Sequence, residues 1–478
     1  MQIEHFVSGA YRATSVNFAC DVCINLYPEA AEVPGTRTPN WLAPCPGFTP
    51  YLTLSPGPSR AMFSQNGRTF AVSGFNFYEI NTDGTSTLHG TVAVNANPAT
   101  ICSNGDGGSQ LFICSGETGY CFDLGSNTLT TELASGATMC DFLDGYFLVL
   151  DAATSTLLIS VLYDGTSWDP TQFAQRTQGG DHWVAMKVVH SDIWLLGTQT
   201  SEVWSDVGTF PFPFAPRPGA FFQEGCAAPF SLNQLHDTLF WLSQSDQGAG
   251  QVMRAEGYAG TRISTFPIEQ AIQGYGTIAD AQSFTYQQNG HHFFVLTFPS
   301  ANATWCFDAA TGLWHARGQW NPTTFSYDAY PVITHCNPSN NQQLVGNRLT
   351  GAIYTLDPAV STDVDGTGIR RQRRFLIESP NQHYVFYSNL QIYAESGVGL
   401  MTGQGRDPQL IIRWSKDGGH QFVGERWCGL GASGQYGFRS MLRGVIGRAR
   451  NMVFDVVCSD PVPLRLLSAS VDVTEGTY

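Results

Sequence analysis

Apolar residues in this chain gather in short runs separated by Gly and polar turns, and a helical period is almost absent. One unit recurs: a short apolar strand, a Gly, a second apolar strand ending near Asp, then a polar turn. Residues 70–84 carry it as Phe70-Ala71-Val72, Gly74, Phe77-Tyr78-Glu79-Ile80 and Asp83-Gly84. Residues 111–125 repeat it with Leu111-Phe112-Ile113, Gly116, Tyr120-Cys121-Phe122-Asp123 and Gly125. Further copies start near Tyr146, Ile193, Leu239, Phe293 and Leu344. In the clearest turn, Asp308-Ala309-Ala310-Thr311-Gly312, Asp can bond its own turn backbone while Gly supplies a positive φ.

The seven starts are spaced by 41, 35, 47, 46, 54 and 51 residues, close to the roughly 40–50-residue period of a four-stranded propeller blade. The pattern predicts an all-β chain whose residues 51–360 form a β-propeller of six or seven blades. A radial ring of sheets leaves only short, protected edges. An irregular array of β-sandwiches is the alternative that the uneven spacing leaves open.

Residues 361–374 break the rhythm: a stretch rich in Asp, Gly and Thr runs into Arg370-Arg371-Gln372-Arg373-Arg374. Beyond it strands come closer together, at Tyr384-Val385-Phe386-Tyr387, Leu390-Gln391-Ile392-Tyr393, Leu410-Ile411-Ile412-Arg413-Trp414 and Met452-Val453-Phe454-Asp455-Val456-Val457. Val471 and Val473 alternate with polar neighbours near the end. This predicts a small antiparallel β-sandwich over 361–478. Residues 1–50 differ again, because Asn25-Leu26-Tyr27-Pro28-Glu29 and Pro44-Cys45-Pro46-Gly47-Phe48 are Pro-punctuated and unsuited to central strands. They read as an extended arm lying on another surface, that of the sandwich platform.

Composition fits this picture. Charged residues make up 13% of the chain, about half the usual share. Its 50 Gly and 13% aromatics suit many tight turns and half-buried pleated surfaces. The net charge of −15 is unevenly spread: residues 366–478 hold 13 Lys/Arg against 9 Asp/Glu, and the residues before them 11 against 30. An acidic body argues against tight wrapping of nucleic acid, which draws its affinity from Lys and Arg. It reads equally as a wall that repels DNA and as ordinary solubility.

The 12 cysteines are expected to be reduced and buried, since Met1-Gln2-Ile3-Glu4-His5 lacks the basic start and apolar run of a secretory signal. Cys20 and Cys23 form a lone C-x-x-C without a second pair at zinc spacing. Cys114, Cys121, Cys306 and Cys458 sit in apolar strand patterns. No run approaches the roughly 18–20 apolar residues that span a bilayer.

The strongest local motif is Ser415-Lys416-Asp417-Gly418-Gly419-His420-Gln421-Phe422. Asp417-Gly418 after an apolar strand signals a hairpin, and the S-x-D-G-G-x-x-F pattern resembles the Asp-box hairpin of sialidases and other propellers. Sialidases carry several such boxes and an arginine cluster, whereas this chain has one box outside its propeller, so Ser415, Asp417, Gly418 and Gly419 read as a structural hairpin. Arg370, Arg371, Arg373 and Arg374, with Arg439, Arg443, Arg448 and Arg450, are candidates for binding an acidic partner surface or phosphate; the alternative is solvated charge on a linker and on strand edges. His291-His292 lack Asp or Glu at metal-ligand spacing. Asp106-Gly107-Gly108 reads as a turn, and Gly397-Val398-Gly399 with Gly403-Gln404-Gly405 precede no helix that would make a phosphate cradle. No G-x-S-x-G or H-E-x-x-H is present. The residues imply no catalytic centre, cofactor or metal.

Several of these segments together resemble the packaged-DNA stabilisation proteins of short-tailed phages, the tail hub or nozzle proteins. The resemblance runs through Asn25-Leu26-Tyr27-Pro28 and Pro46-Gly47-Phe48, then Trp194-Leu195-Leu196-Gly197 and Ser201-Glu202-Val203-Trp204. It is most specific at Leu410-Ile411-Ile412-Arg413-Trp414-Ser415, Asp417-Gly418-Gly419, Leu430-Gly431, Gly434-Gln435-Tyr436, Arg439, Leu442-Arg443, Gly447-Arg448-Ala449-Arg450, Phe454 and Ser459-Asp460-Pro461. Met441-Leu442 stands where the family usually has an aromatic residue before the Arg. The resemblance implies a structural subunit of the virion tail, assembled in the host bacterial cytoplasm. It also implies a homo-oligomeric ring of six copies below portal and adaptor proteins, with needle, plug or fibre proteins docked below or at the side. Double-stranded DNA would pass through the lumen without sequence recognition. A propeller tail protein that binds or degrades glycans is the competing reading.

Overall fold

Each of the seven starts read from the sequence lies on the second strand of one blade: Arg68–Ser73, Gln110–Ser115, Tyr146–Asp151, Asp192–Gly197, Thr238–Ser245, His291–Phe298 and Leu344–Asn347. These strands are apolar on both faces because blades stack on each side. In the fourth blade Ile193 and Leu195 pack toward Leu148 and Leu157 of the third, while Trp194 and Leu196 pack toward Leu239 and Trp241 of the fifth. Alternate side chains thus serve two different interfaces, which is why the runs read as continuously apolar. The blade number is seven.

The computed structural model describes residues 1–33, 38–105, 107–176, 178–338, 342–379 and 383–476. Asp106, read as part of a turn, lies outside them. The third-to-fourth-strand turns follow the predicted chemistry. Asp308 accepts from the Ala310 amide at 3.0 Å and the Thr311 hydroxyl at 2.8 Å, while Gly312 takes φ +69°. Asp123 and Asp83 cap their turns in the same way.

The ring closes with a strand from the N-terminal segment. Gly47–Thr53 pairs with Ala352–Asp357 and completes the seventh blade after Val332–Cys336 and Leu344–Asn347. This strand spans the division read from the sequence between residues 50 and 51. Pro50 is tolerated because the strand is the outer edge of its blade, where a missing N–H costs no ladder bond.

The C-terminal sandwich packs two sheets. In one, Cys20–Ile24, Arg371–Glu378, Asn451–Cys458, Gln409–Ser415 and Phe422–Gly429 are neighbours in that order. The other runs Leu26–Ala30, Asn40–Pro44, Leu466–Glu475, Val385–Ala394 and Ser440–Ala449. Their inner faces share a core of Phe375, Leu390, Ile412, Leu442, Phe454 and Val471, all almost fully buried. The Pro-bearing N-terminal strands sit at one end of the second sheet, and a single pair, Leu42 with Leu466, joins them to it.

The propeller and sandwich are not separate sheets. Cys20–Ile24 pairs antiparallel with Arg371–Glu378 and, at Ile24 with Ala316, parallel with Leu313–Ala316 of the sixth blade. One ten-stranded sheet therefore runs from blade six through the N-terminal segment into the sandwich. No helix among the described residues is long and apolar enough to cross a membrane.

Candidate interaction surfaces

The linker arginines turn inward. Arg371 and Arg373 are fully buried, which corrects their reading as partner-binding charge: within the subunit neither presents its guanidinium to solvent. Arg371 donates to the Val462 carbonyl at 2.8 Å and the Ser361 hydroxyl at 3.3 Å, and burial alone lowers its pKa. Arg373 holds the N-terminal segment. Its Nε donates to the Phe6 carbonyl at 2.8 Å, and its Nη2 to the His5 carbonyl at 2.9 Å, Ser8 Oγ at 2.8 Å and Asp21 Oδ1 at 2.6 Å. Burial raises the Asp21 carboxyl despite that cation.

Arg370 stacks on Trp320, 4.1 Å from the ring centroid, and donates to Ser459 Oγ at 2.9 Å. Arg374 and Arg413 both reach the fully buried Asp455 carboxylate, which also accepts from Gln372 Nε2 at 2.7 Å. Asp455 escaped sequence reading, although its place inside an apolar run, Val453-Phe454-Asp455-Val456, was the signal that an internal cation must meet it.

Asn25 is a second internal knot. It takes φ +57°, a left-handed conformation that Asn tolerates better than most residues. Its Nδ2 donates to the Gly318 carbonyl at 2.8 Å and the Arg370 carbonyl at 2.9 Å, and its Oδ1 accepts from the Gly318 amide at 3.1 Å. The Ser201-Glu202-Val203-Trp204 segment is structural in the same sense. Buried Glu202 accepts from Trp183 Nε1 at 2.8 Å and lies 3.5 Å from Arg176, while Ser201 Oγ donates to the Glu224 carbonyl at 2.7 Å.

The Asp417-Gly418 hairpin closes on itself. The Ser415 hydroxyl donates to Asp417 Oδ1 at 2.5 Å and accepts from the Gly419 amide at 2.9 Å. The Gln421 amide donates to Asp417 at 2.9 Å, and with the Ser415 hydroxyl it depresses the carboxyl pKa. Gly418 and Gly419 take φ +73° and +101°. A Cβ on Gly418 would sit 1.9 Å from Asn17 Oδ1, so the hairpin also seats the N-terminal segment.

Of the remaining predicted residues, Arg439, Arg443, Arg448 and Arg450 are exposed. They lie along or beside Ser440–Ala449, the free edge of the second sandwich sheet. Arg448 and Arg450 flank Tyr384 at 5.0 and 4.6 Å. The structure therefore splits the eight arginines into four engaged within the subunit, Arg371 and Arg373 fully buried and Arg370 and Arg374 half-buried, and an outward group of four.

His291 Nδ1 donates to Asp308 Oδ2 at 2.7 Å inside blade six, and His292 meets His236 at 2.7 Å. Among the described residues no three His, Cys, Asp or Glu are placed to hold a metal. All 12 cysteines are free and buried, with burial pushing Cys121, Cys226, Cys336 and Cys428 up to about 12. Around the propeller axis the first strands leave a cavity of about 210 Å³, lined by Arg60, Lys187, Asn233, Ser283, Thr334 and His335 among others. Its cations are engaged internally: Lys187 meets Asp141 at 2.9 Å, and Arg60 donates to Ser115 Oγ at 2.7 Å and the Gly74 carbonyl at 3.1 Å.

No curated protein matches the chain in sequence. Among solved structures it is similar to virginiamycin B lyase from Staphylococcus aureus (10% identity, TM-score 0.40), covering 63% of this chain and 94% of that one. A streptogramin B lyase gives 8% identity and TM-score 0.44 over 65% and 97%. PorZ, a surface component of the type-IX secretion system of Porphyromonas gingivalis, gives 12% and 0.38 over 72% and 45%. Likeness at this level carries no inference about activity. The family models are decisive: that of the bacteriophage P22 Gp10 β-propeller matches residues 1–361, and that of the P22 Gp10 β-sandwich matches residues 377–474. The chain belongs to the phage P22 Gp10 family of tail hub and packaged-DNA stabilisation proteins, and is a structural protein of a phage tail.

Proposed function

We propose that this chain is a hub or nozzle subunit, six copies of which form a ring below the portal and adaptor, continue the DNA channel and retain the packaged genome until ejection. The observation that carries the reading is the pair of family matches, which together take in both the propeller and the sandwich. The continuous sheet from blade six into the sandwich supports it, since a subunit holding back compressed DNA has to transmit load without hinging between its parts.

Two further features fit. The axial cavity of one propeller, about 210 Å³, is far too small for a duplex whose major groove alone is about 12 Å wide; any lumen must lie between copies. The acidic residues that dominate before residue 366 would let DNA slide past without sticking. On this reading the arm, residues 1–50, locks the sandwich to the propeller. The sandwich, residues 361–478, is the platform for neighbouring subunits, and needle, plug or fibre proteins dock on the finished ring. The chain has no reaction of its own, works in the virion tail and is assembled in the host cytoplasm.

Sizing the purified chain with and without a portal–adaptor complex tests this. A six-membered ring docked on the complex is the expected result. A monomer that ignores the complex and cleaves polysaccharide would overturn it in favour of a glycan-degrading propeller.

A further inference from the structure

Surplus charge is segregated within the molecule. Residues 51–360 hold 9 Lys/Arg against 24 Asp/Glu. Six of those cations, Arg68, Arg176, Lys187, Arg217, Arg254 and Arg262, already face carboxylates of the same chain. Arg60 and Arg317 are buried, and the ninth, Arg348, is half-buried and donates to Asn302 Oδ1 at 3.4 Å. The propeller surface is left with a large excess of carboxylates, and topology collects several of them. In a four-stranded meander the first-to-second and third-to-fourth turns open on one face, and that face carries Asp83, Asp144, Asp206 and Asp237, all exposed, from blades one, three, four and five.

The opposite surplus sits on the sandwich. Lys416, Arg426, Arg439, Arg443, Arg448 and Arg450 are exposed and make no ion pair among the described residues. They cluster around two free strand edges that lie side by side, Phe422–Gly429 of one sheet and Ser440–Ala449 of the other, bridged where Arg426 Nη1 donates to the Arg443 carbonyl at 2.9 Å. Between the cations stand bare apolar side chains: Val445 is 76% exposed, Trp427 61% and Val423 57%. Trp and Arg flanked by aliphatic residues form the usual composition of an interface centre, and an edge left unpaired invites a partner.

We propose that this edge docks on the acidic turn face of the propeller of a second copy. The inference rests on the ring reading above and names the surfaces that build it. Because the two patches lie on different parts of the subunit, the contact is heterologous, and repeating it generates a closed ring when the rotation permits. Charge of opposite sign steers the encounter and sets orientation, while Trp427 and Val445 lose water at its centre. Duplex DNA is the other acidic macromolecule such an edge would attract. The exposed apolar residues favour protein, since duplex phosphates are met by cations and hydrogen-bond donors and leave Val423, Trp427 and Val445 without a partner.

The test uses the full chain with the portal–adaptor complex as nucleus. The Arg443→Glu/Arg448→Glu chain should fold with an unfolding midpoint close to that of wild type, since both side chains are exposed and Arg450 still flanks Tyr384, yet associate at least about tenfold more weakly than wild type; wild-type association should itself weaken as salt rises. A Val445→Cys chain labelled with a benzophenone maleimide locates the partner surface, since the twelve native thiols are buried. With duplex DNA included, photo-cross-links should fall in the propeller turns around Asp83, Asp144, Asp206 or Asp237 of another copy. Cross-links to DNA, to another sandwich or to nothing within an assembled ring would overturn the interface, as would a charge-reversed chain that assembles like wild type. A wild-type chain that stays monomeric beside the complex would instead overturn the hub reading, and this interface with it.

Discussion

Arg373 shows how one side chain can hold separate parts of a chain together. Its guanidinium is fully buried and bonds to oxygens of His5, Phe6, Ser8 and Asp21. Replacing it with Met would strand those acceptors and the Asp21 carboxylate without a cation, a loss of about 3–5 kcal/mol. Lys should rescue only part of that, because one ammonium cannot reproduce the planar fork. Urea unfolding of Arg373→Met and Arg373→Lys beside wild type measures both effects. Asp363 works in the opposite sense. It is buried in the 361–369 turn, and burial raises its carboxyl from 3.8 to about 7. Between those values the unfolded chain releases the proton and the folded chain keeps it, so stability falls as pH rises from about 4 to about 7. Asp363→Asn should remove that slope and raise the unfolding midpoint at neutral pH. A midpoint-against-pH series that keeps the slope in the variant would contradict this assignment.

At the scale of the strand, the seventh blade depends on a segment about 300 residues away in sequence. Without Gly47–Thr53 the strand Ala352–Asp357 becomes an open edge, and Phe48 leaves its place against Tyr330 and Tyr354, 5.5 and 5.8 Å away. A chain lacking residues 1–53 is expected to aggregate on expression and to show a broad, lowered thermal transition. A soluble, sharply melting product would show that three strands suffice to close the ring. Pairing so distant in sequence also raises the contact order of the fold, which slows folding.

Across the whole molecule, the ten-stranded sheet joins the propeller to the sandwich through Cys20–Ile24, which pairs with both. Native-state hydrogen exchange should therefore find Leu313–Ala316, Cys20–Ile24 and Arg371–Glu378 opening together with one free energy. If blade six and the sandwich exchanged independently, load would not pass between them as the hub reading requires. The proposed interface accounts for the charge distribution at the same scale, since an acidic propeller and a basic free edge in one subunit would complement a neighbouring copy.

Read alone, the residues specify the strand rhythm, the second strand of every blade, the Asp–Gly turns and the hairpin at Ser415-Lys416-Asp417-Gly418-Gly419. All of these are local, because side-chain alternation and turn stereochemistry act over a few residues. Tertiary structure alone decided that Gly47–Thr53 closes the ring, that Cys20–Ile24 joins the two sheets, and that Arg371 and Arg373 point inward while Arg443 and Arg448 face out. A run of arginines looks the same whether it faces water or a cage of carbonyls. Only distant backbone brought alongside it makes burying a guanidinium less costly than leaving it in solvent.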